Sequence, residues 1–592
     1  VALFKTTTKN LSLILTRRSK LIGLPSPVTT PIINDFCRWN ACSGAAFAVD
    51  RMKNIKQIIL SSAASQHKYV IPKLETTWIR KKNKYELSGP YGELQQLAKE
   101  SDRMLQKVLS FCNLYTVLSE ETLSEKSVKK FRETVETPGP AVPTKVIELV
   151  QQSTQRAVAE YQLDTSDVMY SKPYELVAAQ KPHQEKEFLE CVERFFRTRY
   201  GRSIIVRPAV FTPLRNCLGF RGHRFDHLPP YMGKIFRIPN PGLKDRWVCD
   251  FNKALDHCIK PMGKRIYESV SKLPWDITFN ESKCFAPIQA HLNHSDMAYA
   301  FDLSAATDRF PWVLQEAVLR KYSGGEKFQE MVDLYSELVR KPALMPDGTS
   351  IVWAQGQPLG AYPSFATFTF THGLLLYGLN GFKHDNKFFV HGDDVVVLDK
   401  QLAYRYANTI AHLGVPISIF KTLKSRKMTE INSKVITRDR ILTIPKWKPI
   451  MRSNALSQIK LWGPSVISFL TKNEEERLAI QRIASLPVCL GGCGVNPGGL
   501  SLEERMDGLE DVLFEVKELS YEKSHHRKVA ERYLANPNFR NLLGNAWVSA
   551  DRADQARLKS EYGSLPTIFS DHRDLDILGK NLYSVDTDRK IP

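Results

Sequence analysis

The stretch Val390-His391-Gly392-Asp393-Asp394-Val395-Val396-Val397 constrains this chain more than any other. Apolar, β-rich runs on either side of Gly-Asp-Asp predict a strand, a tight turn and a second strand. Two adjacent carboxylates are then held at the rigid tip of an apolar hairpin. Like charges at close range oppose each other's ionisation, and a divalent cation with oxygen ligands offsets that cost. Successive side chains of a regular strand point to opposite faces, so only the turn lets both acids approach one site. Asp393 is the expected primary ligand and Asp394 the more peripheral one.

A second acidic segment runs from Phe301 to Pro311. Tyr299, Phe301 and Leu303 predict a short strand entering it, and Pro311 with Val313, Leu314, Ala317 and Val318 predicts a helix leaving it. Asp302 therefore sits near a strand end. Beside the hairpin in one sheet it would face Asp393 across two Mg²⁺ ions about 3.5–4 Å apart, a geometry that activates an attacking hydroxyl and stabilises a leaving pyrophosphate. Asp308 is a candidate for orienting a ribose 2′-hydroxyl or a metal-bound water, with Thr307 able to share that duty and Arg309 as its local ion-pair partner. Between the two acidic segments, Gln355 to Ser364 is a glycine-punctuated loop leading into a helix from Phe365 to Tyr377. Gly356, Gln357 and Gly360 suit a gate over template or nucleotide.

The ordered set of Asp302 to Pro311, Gly356-Gln357-Pro358-Leu359-Gly360-Ala361-Tyr362 with Ser364, and Gly392-Asp393-Asp394 resembles motifs A, B and C of viral RNA-dependent RNA polymerases. More narrowly it is similar to the mitovirus group, relatives of narnaviruses and ourmia-like viruses. Leu273 to Phe279 ahead of motif A, Leu413 to Ser418 with Lys421-Thr422 after motif C, and Leu490-Gly491-Gly492 downstream support it, and the likeness covers roughly residues 230–500. It implies an α+β right-hand polymerase: residues 1–140 as a basic, mainly helical extension, 141–290 as fingers, 291–455 as a palm of antiparallel sheet plus helices, and 456–592 as a helical thumb.

The resemblance also assigns roles. Motif F, Pro241 to Arg246, lies over the nucleotide triphosphate, where Lys234, Arg237, Lys244 and Arg246 would neutralise charge growing on the leaving pyrophosphate. Asp245 stands where a neutral residue is expected, which leaves open the cation that reaches phosphate. Lys421, at the motif D position, is a candidate general acid toward pyrophosphate, and an RNA-backbone contact shared with Lys424, Arg426 and Lys427 is the other reading. Ser364 is the first choice for the ribose 2′-hydroxyl, with Thr369 as helper. His372 either contacts ribose or packs behind its helix. Gly373 and Pro363 replace residues frequent at those places in the family.

The chain carries 83 Lys and Arg against 63 Asp and Glu, a formal charge of +20, which fits a polyanionic partner. The implied partners are single-stranded RNA template, duplex RNA product and ribonucleoside triphosphates. Protein partners stay open, a monomer among the options. The 10 cysteines are scattered, as suits a reduced compartment, and the near pair Cys489 and Cys493 reads as a glycine turn without further zinc ligands. Ala366 to Leu379 is too interrupted by Thr369, Thr371 and His372 to span a membrane. Residues 1–34 hold Lys5, Lys9, Arg17, Arg18 and Lys20 and no acid, which suits a mitochondrial presequence or a flexible basic arm, and the missing initial Met is read as an incomplete reading frame. Thr137 to Pro143 predicts a linker or exposed loop between helical segments. In the expected thumb, Asn473 caps a helix, Ser501 to Glu518 forms another, and Lys523 to Lys528 is a solvated basic face or an RNA contact.

The expected activity is that of an RNA-directed RNA polymerase, a nucleotidyltransferase using Mg²⁺, with Mn²⁺ able to substitute. Relatives without capsids imply a polymerase that stays with its genome as a ribonucleoprotein, in the host mitochondrion or alternatively the cytoplasm. Two other readings remain at this stage. A reverse transcriptase usually has an aromatic and a variable residue before the paired acids, where this chain has His391-Gly392. A viral-derived RNA-binding protein without activity would need no intact acids.

Overall fold

The computed structural model describes residues 8–65, 86–118, 125–172, 182–215, 231–322, 325–418 and 421–447. The chain forms two compact units, one of residues 1–37 with 445–592 and one of residues 38–444. The expected thumb helices, Cys489 with Cys493, Leu490-Gly491-Gly492 and the basic stretch Lys523 to Lys528 lie outside the described residues. In the first unit, Thr8–Ile22 is a helix rather than a free arm, and its Leu11, Leu15 and Ile22 are buried. Helical spacing of those three apolar residues gives the segment a face to bury.

The larger unit mixes helices with three sheets. Its strands are β1 (Gly233–Asn240), β2 (Lys244–Phe251), β3 (Ala298–Asp302), β4 (Ala343–Leu344), β5 (Ser350–Ile351), β6 (Phe388–His391), β7 (Asp394–Val397), β8 (Leu423–Ser425), β9 (Met428–Ile431), β10 (Lys434–Thr437) and β11 (Ile441–Thr443). The central sheet has the order β6-β7-β3-β8 and is antiparallel throughout. Phe388, Phe389, Val390, Val395, Val396 and Val397 are all buried. Consecutive apolar residues of this kind mark strands covered on both faces, and helices pack against the sheet from Phe285–Asn293, Ser364–Leu379 and Lys400–His412. The stretch Trp275 to Ile277 adds to the β6 edge through Val390, whose N–H donates to the Trp275 carbonyl at 2.9 Å.

The Ser364–Leu379 helix is buried nearly all round and touches the helices Thr144–Glu160, Lys253–Lys272, Trp312–Tyr322 and Lys400–His412. Its apolar run is therefore a core helix, and among the described residues no helix is long and apolar enough to cross a membrane. Gly373 has a packing reason: a Cβ there would lie 2.3 Å from the Trp275 indole nitrogen. The second sheet, β2-β1-β4-β5, is built on the β1–β2 hairpin, and the third runs β11-β10-β9. Thr137 to Pro143 joins the helices Glu125–Glu136 and Thr144–Glu160 as a largely exposed loop.

Candidate active site

The two acidic segments meet in the central sheet. β3 pairs with β7 in a register that sets Tyr299 opposite Val397, Phe301 opposite Val395 and Asp302 opposite Asp394. Directly opposed residues share a face of an antiparallel pair. Asp302 thus faces Asp394, not Asp393 as expected, because β7 begins at Asp394 and Asp393 belongs to the turn. Gly392 makes that turn with φ +60°, and a Cβ on it would meet Phe365 Cε2 at 2.8 Å, so glycine is required twice over.

The acids act strongly on one another. Desolvation, then Asp393, Asp302 and Glu430, push the Asp394 carboxyl up to about 7, although the Asn432 N–H donates to its Oδ2 at 3.1 Å. Desolvation and the neighbouring Asp302 also raise Asp393, while Lys244 and Lys421 pull it down. Asp393 itself stands exposed at the tip. Lys421 Nζ donates to both oxygens of Asp302, at 2.9 and 2.8 Å. Burial lowers the affinity of this ammonium for its proton, but Asp302, Asp394 and Asp393 outweigh it and the net shift is upward. Lys421 therefore lies on the carboxylate cluster, where it neutralises Asp302. The Ser418 N–H, donating to the Asp302 carbonyl at 2.8 Å, holds this loop in place.

The residues of the expected gate are anchored. Gly356 N–H donates to the Asp308 carbonyl at 3.1 Å and Gln357 N–H to the Thr307 carbonyl at 3.0 Å. A Cβ at Gly356 would lie 2.3 Å from the Thr307 carbonyl oxygen. The Gln357 side chain is fully buried: its amide donates to Gln315, the Ser364 carbonyl and Thr367, and its oxygen accepts from Tyr335 at 2.5 Å. Gly360 has φ +128°, and a Cβ there would stand 2.0 Å from the Cys249 carbonyl of β2. The Gly356 and Gln357 N–H groups and the Gln357 side chain all have fixed partners, so Gly356, Gln357 and Gly360 tie the Asp302 segment, the Ser364–Leu379 helix and the β1–β2 hairpin together.

Several of the expected site residues are buried. Ser364 is 1 % exposed and its hydroxyl donates to the Pro358 carbonyl at 2.8 Å, a bond that closes the loop on the helix. Thr369 is 2 % exposed, inside the helix packing, and its hydroxyl has no partner. Asp308 accepts from the Trp353 indole N–H at 2.9 Å, and desolvation pushes its carboxyl up to about 6. Arg309 donates to the carbonyls of Thr137, Thr134 and Gly414 instead of forming the expected ion pair. His372 is fully buried behind its helix: Nδ1 meets the Gly392 carbonyl and Nε2 the Tyr406 hydroxyl, both at 2.8 Å. A carbonyl only accepts, so Nδ1 carries the proton and Tyr406 donates to Nε2. Desolvation lowers the His372 pKa to about 4, which keeps it neutral.

The hairpin cations divide into two kinds. Arg237 pairs with Asp245 at 3.2 Å, with its side chain only 7 % exposed, and Ser127 also donates to Asp245. The acid that looked out of place is thus the counter-charge of Arg237. Lys234, Lys244 and Arg246 are exposed, and Lys244 acts electrostatically on Asp393. Gln315, Tyr335, Trp353 and Tyr406 were missed by sequence reasoning; each looks like an ordinary core or surface residue until the fold brings it to the site.

A profile of the mitovirus RNA-dependent RNA polymerase family matches residues 206–552. The RNA-directed RNA polymerase of Cryphonectria parasitica mitovirus 1 is 30% identical over 220 residues, 36% of this chain and 26% of that one. An uncharacterized mitochondrial protein of Arabidopsis thaliana is 32% identical over 161 residues, 26% of this chain and 76% of its own. The alignment thus spans about a quarter of the curated mitovirus polymerase. Among solved structures, the BmCPV RNA-dependent RNA polymerase at quiescent state has a TM-score of 0.47 at 12% identity, over 78% of this chain and 45% of that one. The human picobirnavirus polymerase gives 0.37 at 12% identity, over 67% and 84%. Since the family profile extends over more than half of its residues, this chain belongs to the mitovirus RNA-dependent RNA polymerase family.

Proposed function

We propose that this chain is an RNA-directed RNA polymerase that copies a single-stranded RNA genome by metal-dependent nucleotidyl transfer. The observation that carries this reading is the register of Asp302 against Asp394 with Asp393 beside them in the turn. Residues 141–290 would serve as fingers, 291–455 as palm and 456–592 as thumb of a right-hand polymerase, behind the extension 1–140. The family, and the likeness to an Arabidopsis thaliana mitochondrial protein, support residence in a host mitochondrion.

Three carboxylates with hard oxygen donors fit Mg²⁺, or Mn²⁺ in its place, and two of them are held above their ordinary pKa range by desolvation and mutual crowding. Among the described residues no three His, Cys, Asp or Glu side chains form a ready-made cage, and Lys421 occupies Asp302. Asp302, Asp393 and Asp394 would hold the metal, which when bound favours an ionised attacking hydroxyl and neutralises the leaving pyrophosphate. Lys421 would give up Asp302 and turn its ammonium, with Lys244, toward the phosphates of the incoming ribonucleotide. Tethering through Gly356, Gln357 and Gly360 keeps the acids, the buried helix and the hairpin in fixed relation, which is the positioning that phosphoryl transfer depends on.

The test is incubation of the purified chain with single-stranded RNA, Mg²⁺ and either ribo- or deoxyribonucleotides, with Asp393→Ala alongside. RNA made from ribonucleotides only, and lost in the variant, is the expected result. DNA synthesis would make it a reverse transcriptase, and RNA binding without synthesis under Mg²⁺ and Mn²⁺ alike would leave a binding protein.

A further inference from the structure

Lys53 lies far in sequence from every polymerase motif, on the helix Ala45–Ala63. It is half-buried, and its ammonium donates to the Gly242 carbonyl at 3.2 Å, at the tip of the β1–β2 hairpin. The docking there is close on several sides. Gly242 N–H donates to the Leu118 carbonyl at 2.8 Å, and with φ +77° a Cβ on Gly242 would lie 2.8 Å from the Tyr115 ring. That same ring has its centroid 5.7 Å from Lys53 Nζ. The helix and the turn Asn113–Val117 thus clasp the hairpin two residues before Lys244.

Burial, then Lys244, Lys421 and Lys130, weaken the hold of Lys53 on its proton, while Asp50, one turn away on its own helix, strengthens it. Among the described residues no carboxylate forms an ion pair with it, and its hydrogen-bond partner is the neutral Gly242 carbonyl. Lys244 opens β2 two residues after Gly242, and Lys421 is held on Asp302 in the acidic site. With Lys421 already on Asp302, Lys53 and Lys244 are the cations at the hairpin tip that form no ion pair among the described residues, and two such neighbours favour an anion of high charge density. A triphosphate is such an anion, and its compactness matches a cluster better than a line of RNA phosphodiesters would.

We propose that Lys53 is a phosphate-binding residue, delivered by the Ala45–Ala63 helix to the hairpin tip, where it engages the triphosphate of the incoming ribonucleotide together with Lys244. The N-terminal region would then complete the nucleotide site. This rests on the polymerase reading above.

The experiment compares the full chain with Lys53→Gln and Lys53→Arg. It reads KM and kcat for ribonucleotide at saturating template, template affinity without nucleotide, the thermal midpoint, and the affinity for inorganic tripolyphosphate. Loss of one charged phosphate contact predicts a KM for Lys53→Gln raised about tenfold with kcat within about twofold. Tripolyphosphate affinity should fall in parallel, template affinity and melting should hold, and Lys53→Arg should recover most of the loss. An unchanged KM, a matching loss of template affinity, or a fall in kcat and melting that Arg does not rescue would overturn the proposal. Should the wild type make no RNA, the polymerase reading fails by itself, and equal tripolyphosphate binding by wild type and Lys53→Gln would then overturn the Lys53 assignment.

Discussion

Replacing His372 by Gln tests how the Gly-Asp-Asp turn is held. His372 is fully buried between the Gly392 carbonyl and the Tyr406 hydroxyl, and desolvation lowers its pKa to about 4 from an ordinary 6.5. The unfolded chain protonates this imidazole near 6.5 while the folded chain resists to near 4. The unfolded state therefore binds more protons between those values, and the stability that neutral His372 contributes is present above pH 6.5 and is lost as pH falls toward 4. Integrated between pH 7.5 and 5, the loss is about 2 kcal/mol. Asp276, Asp308 and Asp394 carry carboxyls pushed up to about 7, 6 and 7, desolvation being the first cause in each, and they work in the opposite direction over the same range. Only the difference between wild type and His372→Gln isolates the histidine. At pH 7.5 the variant should be less stable by about 1–3 kcal/mol, since a buried polar partner loses its bond. At pH 5 the gap should shrink by about 2 kcal/mol or reverse. Urea unfolding followed by tryptophan fluorescence at the two pH values measures both gaps. A gap that stays constant would refute the claim that His372 is held neutral.

Gly392→Ala forces a left-handed alanine against Phe365, so it should cost about 1–3 kcal/mol and reduce nucleotide incorporation far more than it lowers the melting temperature. Gln357→Leu strands the Tyr335 hydroxyl in the core and takes one of its two donors from the Gln315 side-chain oxygen, and calorimetry should show about 2–4 kcal/mol of destabilisation with incorporation reduced alongside. Arg237→Met leaves Asp245 half-buried and unpaired, which predicts a clear fall in melting temperature, whereas Lys234→Met on the exposed side of β1 should leave it within about a degree. Asp302→Asn should free Lys421 and abolish incorporation while the chain still melts cooperatively.

Much of the local structure was legible because it is written in short-range pattern. The apolar runs around Gly392 become β6 and β7, Tyr299 and Phe301 lie in β3 with Leu303 just past its end, and Lys400 with Gly414 bounds the helix Lys400–His412. What failed depends on partners distant in sequence. The partner of Asp302 turned on where β7 starts, a one-residue difference that alternation cannot resolve. Glycines at 356 and 360 suggested a flexible gate, but they are there because the Thr307 and Cys249 carbonyls pass too close for a Cβ. Asp245 looked misplaced until Arg237 was found across the hairpin. Ser364 and Thr369 were assigned by motif position, and burial of their helix turned them inward. Lys53 carried no signal, since only the fold brings its helix to Gly242.

Single-nucleotide addition on an RNA template of defined sequence tests the central claim most directly. Purified chain with Mg²⁺ should add the ribonucleotide complementary to the next template base, and changing that base should change the nucleotide added. Addition that ignores the template base, or that persists at full rate in Asp302→Asn, would contradict a template-directed polymerase built on the paired strands of Asp302 and Asp394.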